Sequence, residues 1–341
     1  MHRFPLLSLP ELVLQEVLEN VSSADAFELY QCSKNASKVL RKGAKGQKYF
    51  KVVVDFSQAW LEIHNVRRYT INEKTKIDPL PDDSLELKTF GESAIEYKVN
   101  ALKEYHTYCE EGEKIVALQK IADHFMKTLG VDVFAQVFIG LETPAMEVID
   151  WIQNSNLKYE TFNINGSPEE PLDAVGERIY TDKFLETIPG VGPINTTGTF
   201  VSMINVKQGF QPVNFLKKPL TMLMFHLHHS HFITGKHLMA LNCTAIALKD
   251  SRLTAADINA YLTAWKKGNY PVLMHLLVQM TNGYTLDLKE VVKGLVNPNA
   301  ITNVTNGQEV VFTRESGDEM AVTLTDNDRY LSVWVEEYEK P

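Results

Sequence analysis

The chain has 341 residues, 44% of them hydrophobic, so it can bury a large core and should hold one small module and one large domain. A formal net charge of −9 argues against a nucleic-acid binder, which would carry a basic face. Cys32, Cys109 and Cys243 are far apart and in no CxxC arrangement, which excludes a disulfide framework or zinc knot and points to a reducing compartment.

The first predicted element is a helix opening at Ser8-Leu9-Pro10-Glu11-Leu12. Ser8 caps it with Glu11 as reciprocal partner, and Pro10 sits in the first turn, where its missing N–H costs nothing. Leu14, Val17, Leu18 and Val21 recur at helical spacing and form an apolar stripe. Ser22 and Asp25 repeat the capping arrangement, and Ala26, Leu29, Tyr30 and Ser33 line a second helix. Two short helices cannot bury both faces, so this module, residues 1–48, must dock on the rest of the chain or on a partner. Between Leu29 and Val54 the sequence has seven basic residues and no acid, which reads as a solvated helix end and linker.

The large domain, 49–341, opens on strand-like stretches at Lys51 to Phe56 and Trp60 to Ile63, a candidate hairpin. Residues 72–112 are mixed in character, with a loop at Asp78 to Asp83. A helical period then runs from Glu113 through Ile115, Leu118, Ile121, Ala122 and Phe125 to near Gly130. Strand and helix alternate after that. Val131 to Ile139 and Leu157 to Ile164 read as strands around a helix that begins at Thr143-Pro144-Ala145. Leu220 to Leu227, Thr244 to Leu248 and Pro271 to Val278 are further strands, and Thr254 with Asp257 caps a helix carrying Ile258, Tyr261, Leu262 and Trp265. Units with one apolar face must stack, giving parallel strands covered by helices in a leucine-rich-repeat-like array, although no strict leucine-rich consensus is present. The last part, about 301–338, alternates apolar and polar residues over Gln308 to Arg314, Glu319 to Leu324 and Arg329 to Val335, a three-stranded meander. The fold class expected is therefore α+β or α/β, with a helical module followed by a strand–helix domain ending in a β-meander.

The start of the chain lacks an uninterrupted apolar signal core, and Leu220 to Leu227, the most apolar stretch, is far too short to span a bilayer. The expectation is a soluble protein of the cytoplasm or nucleus, with no membrane or nucleic-acid partner.

Leu9-Pro10, Leu12, Val17-Leu18, Val21, Asp25, Leu29 and Ser33-Lys34 resemble the F-box, the helical module that binds the Skp adaptor of cullin-based ubiquitin ligases. Ala26 stands where a leucine is common, and Asn35-Ala36-Ser37 where a tryptophan is often found. Leu241-Asn242-Cys243, Leu253-Thr254, Trp265-Lys266-Lys267-Gly268 and the final meander resemble the type 2 F-box-associated region of the large nematode F-box families. The resemblance covers the first forty residues and the last third, and is loose in between. It implies a Skp-type adaptor as partner, a cullin reached through it, and a target protein held by the associated region. The adaptor-facing residues it implies, with the stripe, are Leu9, Pro10, Leu12, Leu14, Val17, Leu18, Val21, Asp25, Leu29 and Ser33.

No phosphate loop, nucleophile elbow, HExxH or kinase signature is present, so no catalytic residue and no cofactor is assigned. Gly190-Val191-Gly192 between Pro189 and Pro193 suits a tight turn better than a dinucleotide site. The cluster His226-Leu227-His228-His229-Ser230-His231 invites a metal reading, with a further ligand from His229, His231 or His237, but no second-shell acid lies close by in sequence and none is assigned. On a strand, His226 and His228 share one face and Leu223, Phe225 and Leu227 the other. A stacked array presents a ladder of outward side chains, which makes His226, His228, Met222 and Met224 the candidate target-binding residues within about Leu157 to Met280. Three readings follow: a substrate-recruiting ligase subunit, a stand-alone interaction scaffold, and a metal-dependent enzyme.

Overall fold

The computed structural model describes residues 51–63, 66–73, 86–90, 93–99, 105–129, 133–140, 144–155, 158–165, 171–188, 198–325 and 327–336, with Val13, Glu16 and Phe27. The chain divides into two compact units, Met1–Tyr159 and Glu160–Pro341. Both are mixed α/β, and no helix among the described residues is long and apolar enough to cross a membrane.

In the first unit, β1 (Val52–Asp55) and β2 (Trp60–Ile63) pair antiparallel as the hairpin foreseen at 51–63. The Asp55 carboxylate closes the turn by accepting from the backbone N–H of Ser57 at 2.8 Å and Gln58 at 3.0 Å. β3 (Arg67–Glu73) joins β2, then pairs in parallel with β6 (Tyr105–Cys109); β4 (Glu86–Phe90) and β5 (Ser93–Val99) add antiparallel beyond it. The described residues of the stretch read as mixed, 72–112, are thus largely strand. Helix α1 (Lys114–Leu129) buries Ile115, Leu118, Ile121, Ala122 and Phe125, the face its spacing predicts. β7 (Val133–Gly140) lies parallel to β1, and α2 (Ala145–Asn154) buries Val148, Ile149 and Ile152 while Trp151 meets Phe56 edge-on at 5.6 Å.

The second unit starts with β8 (Lys158–Asn165), followed by two short helices, α3 (Asp173–Ile179) and α4 (Asp182–Leu185). Then come β9 (Thr199–Ser202), β10 (Leu220–Leu227), α5 (Gly235–Met239), β11 (Leu241–Ser251), α6 (Ala255–Lys266), β12 (His275–Met280) and α7 (Leu288–Val291). β8 to β12 lie side by side in chain order and all parallel. β16 (Tyr330–Glu336), β15 (Glu319–Thr325), β14 (Gly307–Thr313) and the short β13 (Thr302–Val304) extend the sheet antiparallel from β12, so the foreseen meander gains a fourth strand.

One row of inward side chains accounts for the core of this unit. Phe162, Phe200 and Phe225 are register partners on β8, β9 and β10 and stack, 5.8 and 5.7 Å between ring centroids. The row continues through Ile246, Leu276, Val333, Val322 and Val310, all buried. Phe184 of α4 packs edge-on against Phe162, and Tyr180 meets Phe200, Phe210, Phe215 and Phe232. Each such ring, fully buried, contributes roughly 1.5–3 kcal/mol. The Tyr180 hydroxyl would be costly there unpaired; it bonds the Ser202 hydroxyl at 2.7 Å.

Candidate open-face site

The other face of the second unit's sheet carries the outward residues. Its central row runs Thr161, Thr199, Met224, Ala245, His275, Trp334, Ala321, Val311 across eight strands in register. The next runs Asn163, Val201, His226, Ala247, Leu277, Ser332, Thr323, Glu309. All these are half-buried or exposed, whereas the row between them, Phe162 to Val310, is buried. The face is small and polar at its centre, with apolar outposts at Met224, Leu277, Trp334 and Val311.

His226, His228 and Met224 stand on this face; Met222 does not. It is 1% exposed on the helix side, which corrects its assignment as an outward target-binding residue. An irregularity intervenes. The N–H groups of Leu223 and Met224 both donate to the Gly198 carbonyl, at 2.8 and 3.2 Å, and the pairing with β11 passes over Leu223. The register with β11 is the same on both sides, Met222 opposite Cys243 and Met224 opposite Ala245, and both strands change phase there. Met222 and Met224 therefore fall on opposite faces despite their even spacing, and Leu223, expected on the buried face with Phe225 and Leu227, is 42% exposed.

His226 and His228 stack at 4.6 Å with 27° between their planes. Burial pulls the His226 imidazole down to about 4, with His228 and Lys249 adding positive charge nearby. His228 is lowered by burial, then by Lys249 and His229. Near pH 7 both rings are neutral: adaptable hydrogen-bonding and stacking surfaces rather than cations. His226 Nε2 is buried with no hydrogen-bond partner in the structure.

The other histidines have local duties. His231 lies 3.3 Å from Asp250 through Nδ1 and 3.0 Å from the Lys207 carbonyl through Nε2. His229 lies 3.7 Å from the same Asp250. His237 Nδ1 accepts the Thr234 backbone N–H at 3.3 Å, completing the capping box of α5 with imidazole in the place usually taken by Glu or Gln. The run therefore splits, and no group of three or more His, Cys, Asp or Glu among the described residues is arranged to hold a metal ion.

The ten adaptor-facing candidates, Leu9, Pro10, Leu12, Leu14, Val17, Leu18, Val21, Asp25, Leu29 and Ser33, lie outside the described residues. Three of their neighbours are described. Val13 and Glu16 are helical and exposed, and Phe27 is helical and fully buried. Phe27 packs 5.9 Å from Phe125 of α1, with the Arg67 guanidinium 5.2 Å above its ring and 4.2 Å from that of Tyr105. Sequence reading passed over Phe27, because it falls off both apolar patterns.

Residues 211–278, which hold β10, α5, β11 and α6 and run into β12, match the model of the F-box associated family, type 2. This segment is similar to F-box associated regions. It contains Met224, His226 and His228. The chain is also 26% identical, over 197 residues, to the Skn-1 dependent zygotic transcript 15 protein of Caenorhabditis elegans, across 55% of this chain and 51% of that relative. It thus spans about half the length of the curated relative it matches. No solved structure matches. The matched segment is the part of the second unit in which parallel strands and capped helices alternate most regularly, and Thr254 with Asp257 caps α6 as its sequence predicts.

Proposed function

We propose that the chain is a non-catalytic, substrate-recruiting subunit of a Skp–cullin–F-box ubiquitin ligase. The opening helical segment binds the Skp-type adaptor through Leu9, Pro10, Leu12, Leu14, Val17, Leu18, Val21, Asp25, Leu29 and Ser33, and the cullin through that adaptor. The open face around Met224, His226 and His228 holds the target protein. The observation that carries this reading is that the F-box associated match falls on the segment that bears Met224, His226 and His228 on the open face. The protein then works by effective concentration: holding a target beside the transfer machinery makes ubiquitin transfer effectively intramolecular. Its setting is intracellular, where the adaptor and cullin are found.

Proteins captured from cells by the intact chain and by a His226→Ala, His228→Ala variant with unchanged melting test the target site. Loss of captured targets with the adaptor retained is the expected result; an identical capture list removes these residues from the site.

A second reading, a stand-alone interaction scaffold, is favoured by the burial of Phe27 against Phe125 and Arg67, which ties the second predicted helix to its own unit. The two readings are compatible in geometry. On the helix that the sequence predicts, 3.6 residues per turn would put positions 25 and 29 about 160° around from Phe27, so a helix anchored by Phe27 would still offer its other side to an adaptor.

A further inference from the structure

The meander end of the open face has a charge pattern of its own. Every charged side chain on β14, β15 and β16 is a glutamate: Glu309, Glu319 and Glu336, with no Lys, Arg or His. All three have the phase of the open face, since Val310, Phe312, Met320, Val322, Val333 and Val335 fill the buried one. Glu319 lies directly opposite Glu336, and both are exposed. Like charges so placed destabilise a strand pair, and nearby cations would normally offset them. The arginines of the flanking turns are engaged elsewhere. Arg314 pairs with Asp318 at 2.6 Å and lies 5.0 Å over Trp265, and Arg329 donates to Asn282 at 2.6 Å and to the Met280 carbonyl at 3.3 Å.

Beside the glutamate pair stands Trp334, 55% exposed, opposite Ala321, with Val311, 49% exposed, one strand further. The indole is held in place: its Nε1–H donates to Ser332 Oγ at 2.7 Å, and His275 meets the ring at 3.9 Å. Glu336, two residues on, projects from the same face about 7 Å away along the strand. A guanidinium stacks on an indole and forks onto a carboxylate at once, which a compact, strongly hydrated ammonium does less well.

We propose that the open face of β14–β16 binds an extended segment of another protein through an arginine that stacks on Trp334 and pairs with Glu336 and Glu319, with an aliphatic neighbour against Val311. This rests on the reading that the sheet recruits a target, and it names the chemistry of that target. Charge complementarity selects the occupant: a second copy of this chain would bring the same glutamates and a net charge of −9.

The full chain is titrated with labelled extended Ser/Val peptides carrying a central Arg, Lys, citrulline or Glu, and binding is read by fluorescence anisotropy. The Arg peptide should bind about tenfold or more tighter than the citrulline and Glu peptides, with Lys between. Trp334→Ala, and separately Glu319→Gln with Glu336→Gln, should abolish that preference, while Glu186→Gln with Glu290→Gln, the same charge change elsewhere, should keep it. Circular dichroism checks folding, and Trp334→Phe serves if the alanine variant does not fold. Absence of binding, equal affinity for all four peptides, or an unaltered preference in the variants overturns the proposal. So does Trp334-dependent self-association in sedimentation, which would make this face a dimer contact. Adaptor capture, assayed on the same samples, is independent: its failure would count against the ligase reading alone.

Discussion

At the scale of residues, the histidines separate what sequence can and cannot give. The alternation of His226 and His228 with Phe225 and Leu227 is legible and holds, whereas Leu223, expected on the same face as Phe225 and Leu227, is exposed. The position of Met222 was not legible, because β10 and β11 change phase together between it and Met224, and that pairing is made with a distant strand. The state of the imidazoles has a measurable consequence. Burial first, then His228 and Lys249, keeps His226 neutral in the folded protein down to about pH 4, whereas an unfolded chain takes up the proton near 6.5. Its contribution to stability is therefore complete above pH 6.5 and is lost as pH falls toward 4. Urea unfolding of the native chain and of His226→Gln across that range should show a steeper fall for the native protein; parallel curves would mean that the ring titrates normally. Phe27 gives a second prediction. Truncating a fully buried phenylalanine commonly costs about 3–5 kcal/mol, so Phe27→Ala should lower the unfolding midpoint of the first unit substantially. A shift no larger than that of Val13→Ala, at an exposed position, would mean that Phe27 is not an anchor.

At the scale of elements, α1, α2 and α6 were legible because their apolar spacing and starting residues agree with the face they bury. The cap of α6 can be tested alone: Thr254→Ala should cost about 1 kcal/mol in chemical unfolding, and Thr254→Ser much less. Equal losses for both would show that the Thr254 methyl group, not its hydroxyl, matters. Gly235 adds a constraint that no local pattern announces. A Cβ there would collide with the carboxylate of Asp257, so the starts of α5 and α6 are packed side by side through a missing side chain. β3 to β6 and β9 escaped sequence reading for a different reason. Polar residues stand between single apolar ones, as in Tyr69 and Ile71 of β3; β3 also depends on pairing with the distant β6, and the four-residue β9 on β8 and β10.

At the scale of the whole molecule, the proposed adaptor-binding segment, the stretch similar to F-box associated regions and an acidic, tryptophan-bearing meander follow one another along the chain. If the apolar stripe of residues 14–21 is an interface, the protein made alone should aggregate, and co-expression with a Skp-type adaptor should yield a monodisperse complex. A stable monomer made alone would favour the stand-alone scaffold. The most direct test of the central claim is a pull-down of the Skp-type adaptor by the full chain and by its Leu9→Ala, Pro10→Ala variant. Losing anchors from a packed interface should weaken capture about tenfold or more while the melting of the rest of the chain is unchanged. Undiminished capture by the variant, or no capture by the native chain, would contradict the account.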